Sequence, residues 1–185
     1  MRFGLFGTGP WAHKAHAPAL AAHPDVDLVG VWGRDPAKAA ALATEHGAQP
    51  YADIDALIAD VDAVAIALPP DVQADIALRA ARAGKHLLLD KPIAFTTEAA
   101  DGIVAAAAEH GVAGVVFFTR RFMPEIDDFI GQVVARGGWL EGRIDHLGSI
   151  FQPGNPFGAS VWRKEGGGLW AVSYTHLTLP TNREV

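Results

Sequence analysis

Arg2-Phe3-Gly4-Leu5-Phe6-Gly7-Thr8-Gly9-Pro10-Trp11-Ala12 is the stretch whose reading decides the fold. It reads as a short buried strand running into a Gly-x-Gly-x-x-Ala turn, with an alanine- and histidine-rich helix after it. That is the spacing of a dinucleotide fingerprint. Gly7 makes the tight turn, Gly9 lets backbone amides approach a pyrophosphate, and Ala12 is small enough for the helix to pack closely on the strand. The phosphates are expected on unpaired N–H groups at the positive helix terminus, with Thr8, Pro10 and Trp11 completing the loop. A glycine turn between strand and helix is often only a turn, so the reading rests on what surrounds it.

Outward from the turn, Trp11 to His23 has a helical apolar pattern, with Ala15, Leu20 and neighbouring alanines facing a sheet. His13 and His16 are three apart on it. Nothing nearby completes a metal shell, so both are read as solvent-facing or loop-contact residues. Pro24-Asp25 breaks the helix, and Val26 to Trp32 is a second buried strand. The residue ending that strand selects the cofactor, because a carboxylate there binds the adenosine ribose hydroxyls and repels a 2′-phosphate. Here Gly33 and Arg34 stand there. The missing acid and the added guanidinium favour NADP(H), with NAD(H) the alternative, and Lys38 adds charge one turn into the next helix. Asp35-Pro36 reads as a helix start, with Asp35 the N-cap.

Pro36 to His46 is an alanine-rich helix closed by Gly47, followed by an extended piece from Ala48 to Ala52 and a small helix capped by Asp53. Asp62 to Leu68 is a buried strand stopped by Pro69-Pro70, where ligands bind in open parallel sheets. Asp71 to Ala83 is a helix ended by Gly84, and Lys85 to Leu89 a strand. Thr96 or Thr97 caps a helix reaching His110, Gly111 closes it, and Val112 to Phe118 is a further strand. Five or six apolar strands alternating with helices predict a doubly wound parallel α/β sheet of the Rossmann kind.

The length of 185 residues, half of them hydrophobic, suits one domain and part of another. No apolar run is long enough for a membrane span, and no signal peptide is recognisable, which predicts a cytoplasmic protein. The chain has no cysteine, so disulfide and thiolate chemistry are excluded. A net charge of −6 without a basic run argues against nucleic acid as a partner.

Asp90-Lys91-Pro92 ends the Lys85 to Leu89 strand on the same sheet edge as the glycine turn. A lysine partly desolvated there, beside the positive nicotinamide ring, is expected to have a lowered pKa and to move a substrate hydroxyl proton as hydride moves to or from the ring. Pro92 fixes the turn, in a trans or cis bond. The competing reading of Lys91 is a surface lysine in a strand-to-helix loop.

Taken together, Gly7-Thr8-Gly9, Leu68-Pro69-Pro70, Gly84 to Ala94 with Asp90-Lys91-Pro92 at its centre, and Arg120-Arg121-Phe122-Met123-Pro124 resemble the glucose-fructose oxidoreductase / inositol dehydrogenase (Gfo/Idh/MocA) family over residues 1 to about 171. The resemblance implies an N-terminal Rossmann domain (1–121) and the start of an α+β domain with an antiparallel sheet (122–171). It also implies a homo-oligomer assembled through that sheet, and hydride transfer between NAD(P) and a small-molecule sugar, cyclitol or related alcohol. The family's catalytic lysine corresponds to Lys91, and its Trp-Arg pair approaching the cofactor to Trp162 and Arg163. Leu68, Pro69 and Asp90 fall among its cofactor contacts. Three positions depart from the pattern. Asp90 replaces a glutamate, Pro70 and Gln73 stand where Asn and His are frequent, and Thr119 stands where Asn is frequent.

Met123 to Arg136 reads as an amphipathic helix ended by Gly137-Gly138, with Asp127 and Asp128 on a solvated face. Leu140 to Phe151 alternates like a strand. After the glycine run Gly166-Gly167-Gly168, the family's Asp-x-Gly-x-x-His is absent. Residues 172–185 instead resemble the translation of adaptor DNA, which predicts a truncated reading frame. His176 then falls near the expected histidine by coincidence, and the alternative is a natural short C-terminus. On the truncated reading the fragment binds a dinucleotide without turning it over. The other readings are a non-catalytic dinucleotide-binding sensor or partner module, and a different Rossmann enzyme such as a dihydrodipicolinate reductase-like protein.

Overall fold

The computed structural model describes residues 1–141 and 153–155, and the chain divides after Phe117 into two compact units. The first is built on a six-stranded parallel sheet in the order β3-β2-β1-β4-β5-β6. The strands are β1 (Arg2–Phe6), β2 (Asp27–Trp32), β3 (Gln49–Tyr51), β4 (Ala63–Ile66), β5 (His86–Leu89) and β6 (Gly114–Val116). β1 to β3 step outward in one direction and β4 to β6 in the other, so the order reverses between β1 and β4. Right-handed crossovers put the two sets of helices on opposite faces, and the side-chain period of two divides the strand residues between them. Leu5, Val31 and Ala65 pack with α1 (Ala17–Ala22) and α2 (Pro36–Glu45). Phe6, Val64, Ile66, Leu87 and Leu89 pack with α3 (Ile54–Asp60), α4 (Pro70–Arg82) and α5 (Thr97–Glu109). The doubly wound α/β class expected from the strand–helix alternation is the observed one.

The caps that delimit these helices are legible residue by residue. Asp35 accepts from the Ala37 and Lys38 amides at 3.0 and 3.2 Å, Asp53 from Ala56 at 2.8 Å, and Thr96 from Ala99 at 3.2 Å. Gly47, Gly84 and Gly111 close α2, α4 and α5 with positive φ. Two local expectations are corrected. Helix α4 begins at Pro70 rather than Asp71, because proline's missing N–H costs nothing in the first turn and its φ is already helical. The first helix carries a π-helical turn, Ala12–His16, closed by the Ala17 amide on the Ala12 carbonyl. Of the two expectations for these histidines, solvent-facing or loop-contact, His13 meets the first, being exposed, whereas His16 is 4% exposed and lies against Trp11 of the glycine turn.

In the second unit, a 3-10 turn (Thr119–Phe122) leads into α6 (Pro124–Arg136). Asp127 and Asp128 are exposed, and Asp127 pairs with the Arg121 guanidinium. Arg136 stacks over the Trp139 ring at 5.0 Å, and Gly137 ends α6 at φ 58°. The strand expected over Leu140 to Phe151, beyond its first two residues, lies outside the described residues. So do Trp162, Arg163, the glycine run, His176 and the tail. Among the described residues no helix is long and apolar enough to cross a membrane.

Candidate functional site

Parallel pairing brings the carboxyl ends of the strands to one edge, and hydrogen bonds carry the register one residue into each loop. The Gly7 amide donates to the Trp32 carbonyl at 2.8 Å, Ala67 to Phe6 at 2.8 Å, Asp90 to Ile66 at 3.2 Å, and Phe117 to Leu89 at 2.7 Å. The Gly7 turn, Gly33, Leu68-Pro69 and Asp90-Lys91 therefore stand at one level on neighbouring strands. With strands about 4.8 Å apart, Lys91 lies two spacings, roughly 10 Å, from the turn. Gly33 lies one spacing away on the other side. The turn and the lysine flank the reversal between β1 and β4, where open α/β sheets leave a crevice.

The turn has the form of a phosphate cradle. Gly7 sits at φ 128°, and a Cβ there would be 2.4 Å from the Ala67 carbonyl oxygen, so only glycine lets β1 end against β4. At Gly9 a Cβ would meet nothing within 4 Å; the space above it is open to a ligand. The Gly9 carbonyl accepts from the His13 amide at 3.2 Å, so the helix starts at the turn and directs its positive end there. Pro10 is exposed and Trp11 half-buried. The glycines and the helix start fit a dinucleotide pyrophosphate, which Thr8, Gly9 and the first helical amides would hold.

At the adenosine end Gly33 is buried and Arg34 exposed, and Arg34 makes no salt bridge among the described residues. Lys38 lies 3.8 Å from Asp35, whose carboxylate caps α2. At the other end Leu68 and Pro69 are half-buried, as are Asp90 and Lys91. The Lys91–Pro92 peptide is cis, and Asp90 Oδ1 accepts from the Lys91 amide at 2.8 Å.

Two residues of the site escaped the sequence reading in whole or part. Gln73, fully buried on α4, staples the lysine loop. Its Oε1 accepts from the Asp90 amide at 2.9 Å. Its Nε2 faces the carbonyls of Asp90, Pro92 and Ile93 at 2.8, 3.0 and 3.2 Å. Three carbonyls and one amide fix the orientation of the side chain, since the flipped amide would set oxygen against three oxygens. Its signal was a polar residue on the stripe that also buries Pro70, Ile76, Ala77 and Ala80. His16 lies edge-on to Trp11 and Phe117, with ring centroids 6.5 and 5.7 Å apart. Desolvation by burial lowers its pKa to about 4, and its Nε2 has no hydrogen-bond partner among the described residues. Neutral at physiological pH, it fills a gap between the turn and β6. Its signal was the spacing Ala12, His16, Leu20, four residues apart, on the apolar stripe.

Residues 1–118 match the model of a family described as oxidoreductases with an NAD-binding Rossmann fold. Inositol 2-dehydrogenase of Rhizobium meliloti is 39% identical over 126 residues, 67% of this chain and 38% of that protein. The dTDP-3,4-didehydro-2,6-dideoxy-alpha-D-glucose 3-reductase of Streptomyces antibioticus is 36% identical over 121 residues, 64% of this chain and 37% of that one. The chain thus matches less than half the length of these relatives. Among solved structures, a 3-ketoreductase from Actinomadura kijaniata in complex with NADP superposes with TM-score 0.68 at 29% identity, covering 75% of this chain and 44% of that one. A gentamicin A biosynthesis protein in complex with NAD superposes with TM-score 0.68 at 30% identity, covering 71% and 38%. Neighbours of equal likeness thus carry either dinucleotide.

Proposed function

The chain belongs to the Gfo/Idh/MocA family of oxidoreductases, and from that premise we propose that it binds NADP(H) along the carboxyl edge of its sheet for hydride exchange with a sugar, cyclitol or related alcohol or carbonyl. The observation that carries the reading is the common level of the Gly7 cradle, the Gly33–Arg34 pair and Lys91 across four adjacent strands. Gly7, Thr8 and Gly9 hold the pyrophosphate at the start of the first helix. Arg34, exposed beside a glycine where an acid would read a ribose, takes the 2′-phosphate. Leu68 and Pro69 line the crevice between the two ends.

The nicotinamide, when bound, supplies the hydride acceptor or donor. Lys91 Nζ holds or releases the proton of the substrate oxygen, and the loop that carries it is fixed by Asp90 Oδ1 and by Gln73. Trp162 and Arg163 belong to the same reading as further cofactor contacts.

Titration of NADPH and NADH into the chain, followed by the fluorescence of Trp11 at the turn, tests the binding half. NADPH is expected to bind more tightly, and Arg34→Ala to abolish the difference. Lys91→Ala is expected to leave binding unchanged and to remove turnover from any form of the protein that shows it. Binding of neither dinucleotide refutes the reading, and full turnover by Lys91→Ala refutes the role of the lysine.

A further inference from the structure

Thr8 and Gly33 form the rung that follows the Gly7–Trp32 hydrogen bond between β1 and β2. Gly33 is buried and is absent from the positive-φ glycines among the described residues, so its backbone would accept any L-residue. Its volume would not. A Cβ at Gly33 would stand 2.6 Å from Thr8 Cγ2 and 3.1 Å from Thr8 Oγ1, inside van der Waals contact for both.

Rotation of the threonine relieves the contact only in part. Its two γ atoms share three staggered positions, and two of those positions face residue 33, so every χ1 rotamer leaves at least one of them filled. Its backbone is held on the preceding side, where the Gly7 amide donates to the Trp32 carbonyl at 2.8 Å and the Ala67 amide to the Phe6 carbonyl at 2.8 Å.

We infer that Thr8 is a specificity-determining residue of the adenosine end: its side chain fills the space beside Gly33 in which a ribose-binding carboxylate would start, and so keeps the site free of the acid that would repel a 2′-phosphate. The inference deepens the NADP(H) reading and rests on it for its functional part. It makes the choice of cofactor a property of a pair, one residue on the phosphate turn and one at the end of β2. Introducing an acid at position 33 alone therefore does not create an NAD(H) site. The carboxylate either displaces the Thr8 side chain, and the turn with it, or is itself held in the wrong place.

The test is a two-by-two set in the full chain, with one binding readout and one stability readout. Gly33→Asp is expected to weaken NADPH and to leave NADH no tighter than in the unsubstituted chain. Thr8→Ala/Gly33→Asp is expected to bind NADH more tightly than Gly33→Asp does, by about tenfold, the order of one restored hydrogen-bonded contact. A gain of NADH affinity in Gly33→Asp alone equal to that of the double variant overturns the inference.

Stability reads the same contact without any cofactor. Gly33→Ala is expected to lower the Tm, Thr8→Ala/Gly33→Ala to recover most of the loss, and Thr8→Val/Gly33→Ala, which keeps the γ branch, to recover none. Strictly additive shifts overturn the inference. Should the unsubstituted chain prefer NADH or bind neither dinucleotide, the functional reading fails by itself, and the melting set still decides whether Thr8 excludes a side chain at position 33.

Discussion

Replacing Gln73 with glutamate exchanges one NH2 group for one oxygen and keeps the shape, which makes it a sharp probe of the loop that presents Lys91. The Nε2 position faces three carbonyl oxygens within 3.2 Å in a fully buried setting. An ionised carboxylate there has no donor on that side and is desolvated, so the folded state must take up a proton. The folded pKa of the introduced carboxyl group is then raised above its unfolded value of about 4.3. With the folded state binding more protons, the stability of the variant falls as pH rises. Relative to the parent chain the loss grows by about 1.4 kcal/mol per pH unit above the unfolded pKa, reaching at most about 3.7 kcal/mol at pH 7. Gln73→Met gives the contrast. It strands the same carbonyls at a cost of roughly 2–4 kcal/mol, but that cost does not vary with pH. Urea unfolding at pH 5, 6, 7 and 8, followed by far-UV circular dichroism, measures both offsets. If the offset of Gln73→Glu is flat across that range, the amide does not face the carbonyls and the account of how the lysine loop is held is wrong.

Two further outcomes test smaller parts of the structure. His16 has a folded pKa near 4 against about 6.5 unfolded, so the unfolded chain binds more protons in between; this contribution is complete above pH 6.5 and about 3 kcal/mol of it is lost as pH falls to 4. His16→Leu should remove that part of the pH dependence, seen as a parent-minus-variant difference in unfolding free energy that changes between pH 4 and 6.5; a constant difference contradicts the buried neutral imidazole. Asp35→Ala should cost about 1 kcal/mol through the lost cap whereas Asp35→Asn, which caps equally well, should cost only tenths, and equal losses by denaturant titration would show that its charge, not its cap, is what matters.

The fold was legible where local chemistry and burial agree. Asp35 and Asp53 cap the helices they were expected to cap, and Thr96, of the pair Thr96 and Thr97, caps α5; β1 and β4 are the central strands, and the Ala63 to Ile66 run is buried on both faces. Less was legible where tertiary contact decides. Nothing in the spacing of His13 and His16 announces a π-helical turn, nor that a residue from the far end of the sheet, Phe117, lies against His16. Gln73 was noticed as a departure from a family pattern, yet its partners are backbone atoms 17 to 20 residues away, and no side-chain pattern records those. The Thr8–Gly33 contact was hidden for a similar reason: each residue was read for what it offers a ligand, whereas their mutual exclusion exists only once β1 and β2 pair.

These two hidden contacts also show how the loops at the carboxyl edge are held. Each begins where the ladder stops. The Gly7–Trp32 bond is followed by Thr8 against Gly33, and the Asp90–Ile66 bond is shared with Gln73, whose oxygen takes the same amide. The loops are therefore held from below by the sheet and from the side by one side chain each, half-buried Thr8 and buried Gln73, and the two sit on separate segments, the first turn and α4. Damage at one end should stay there. Substitutions at Gln73 should alter the lysine loop and leave dinucleotide phosphate binding intact, whereas substitutions at Thr8 should alter the adenosine end and leave the lysine loop intact, because the two side chains share no hydrogen-bond partner and lie on opposite sides of β4.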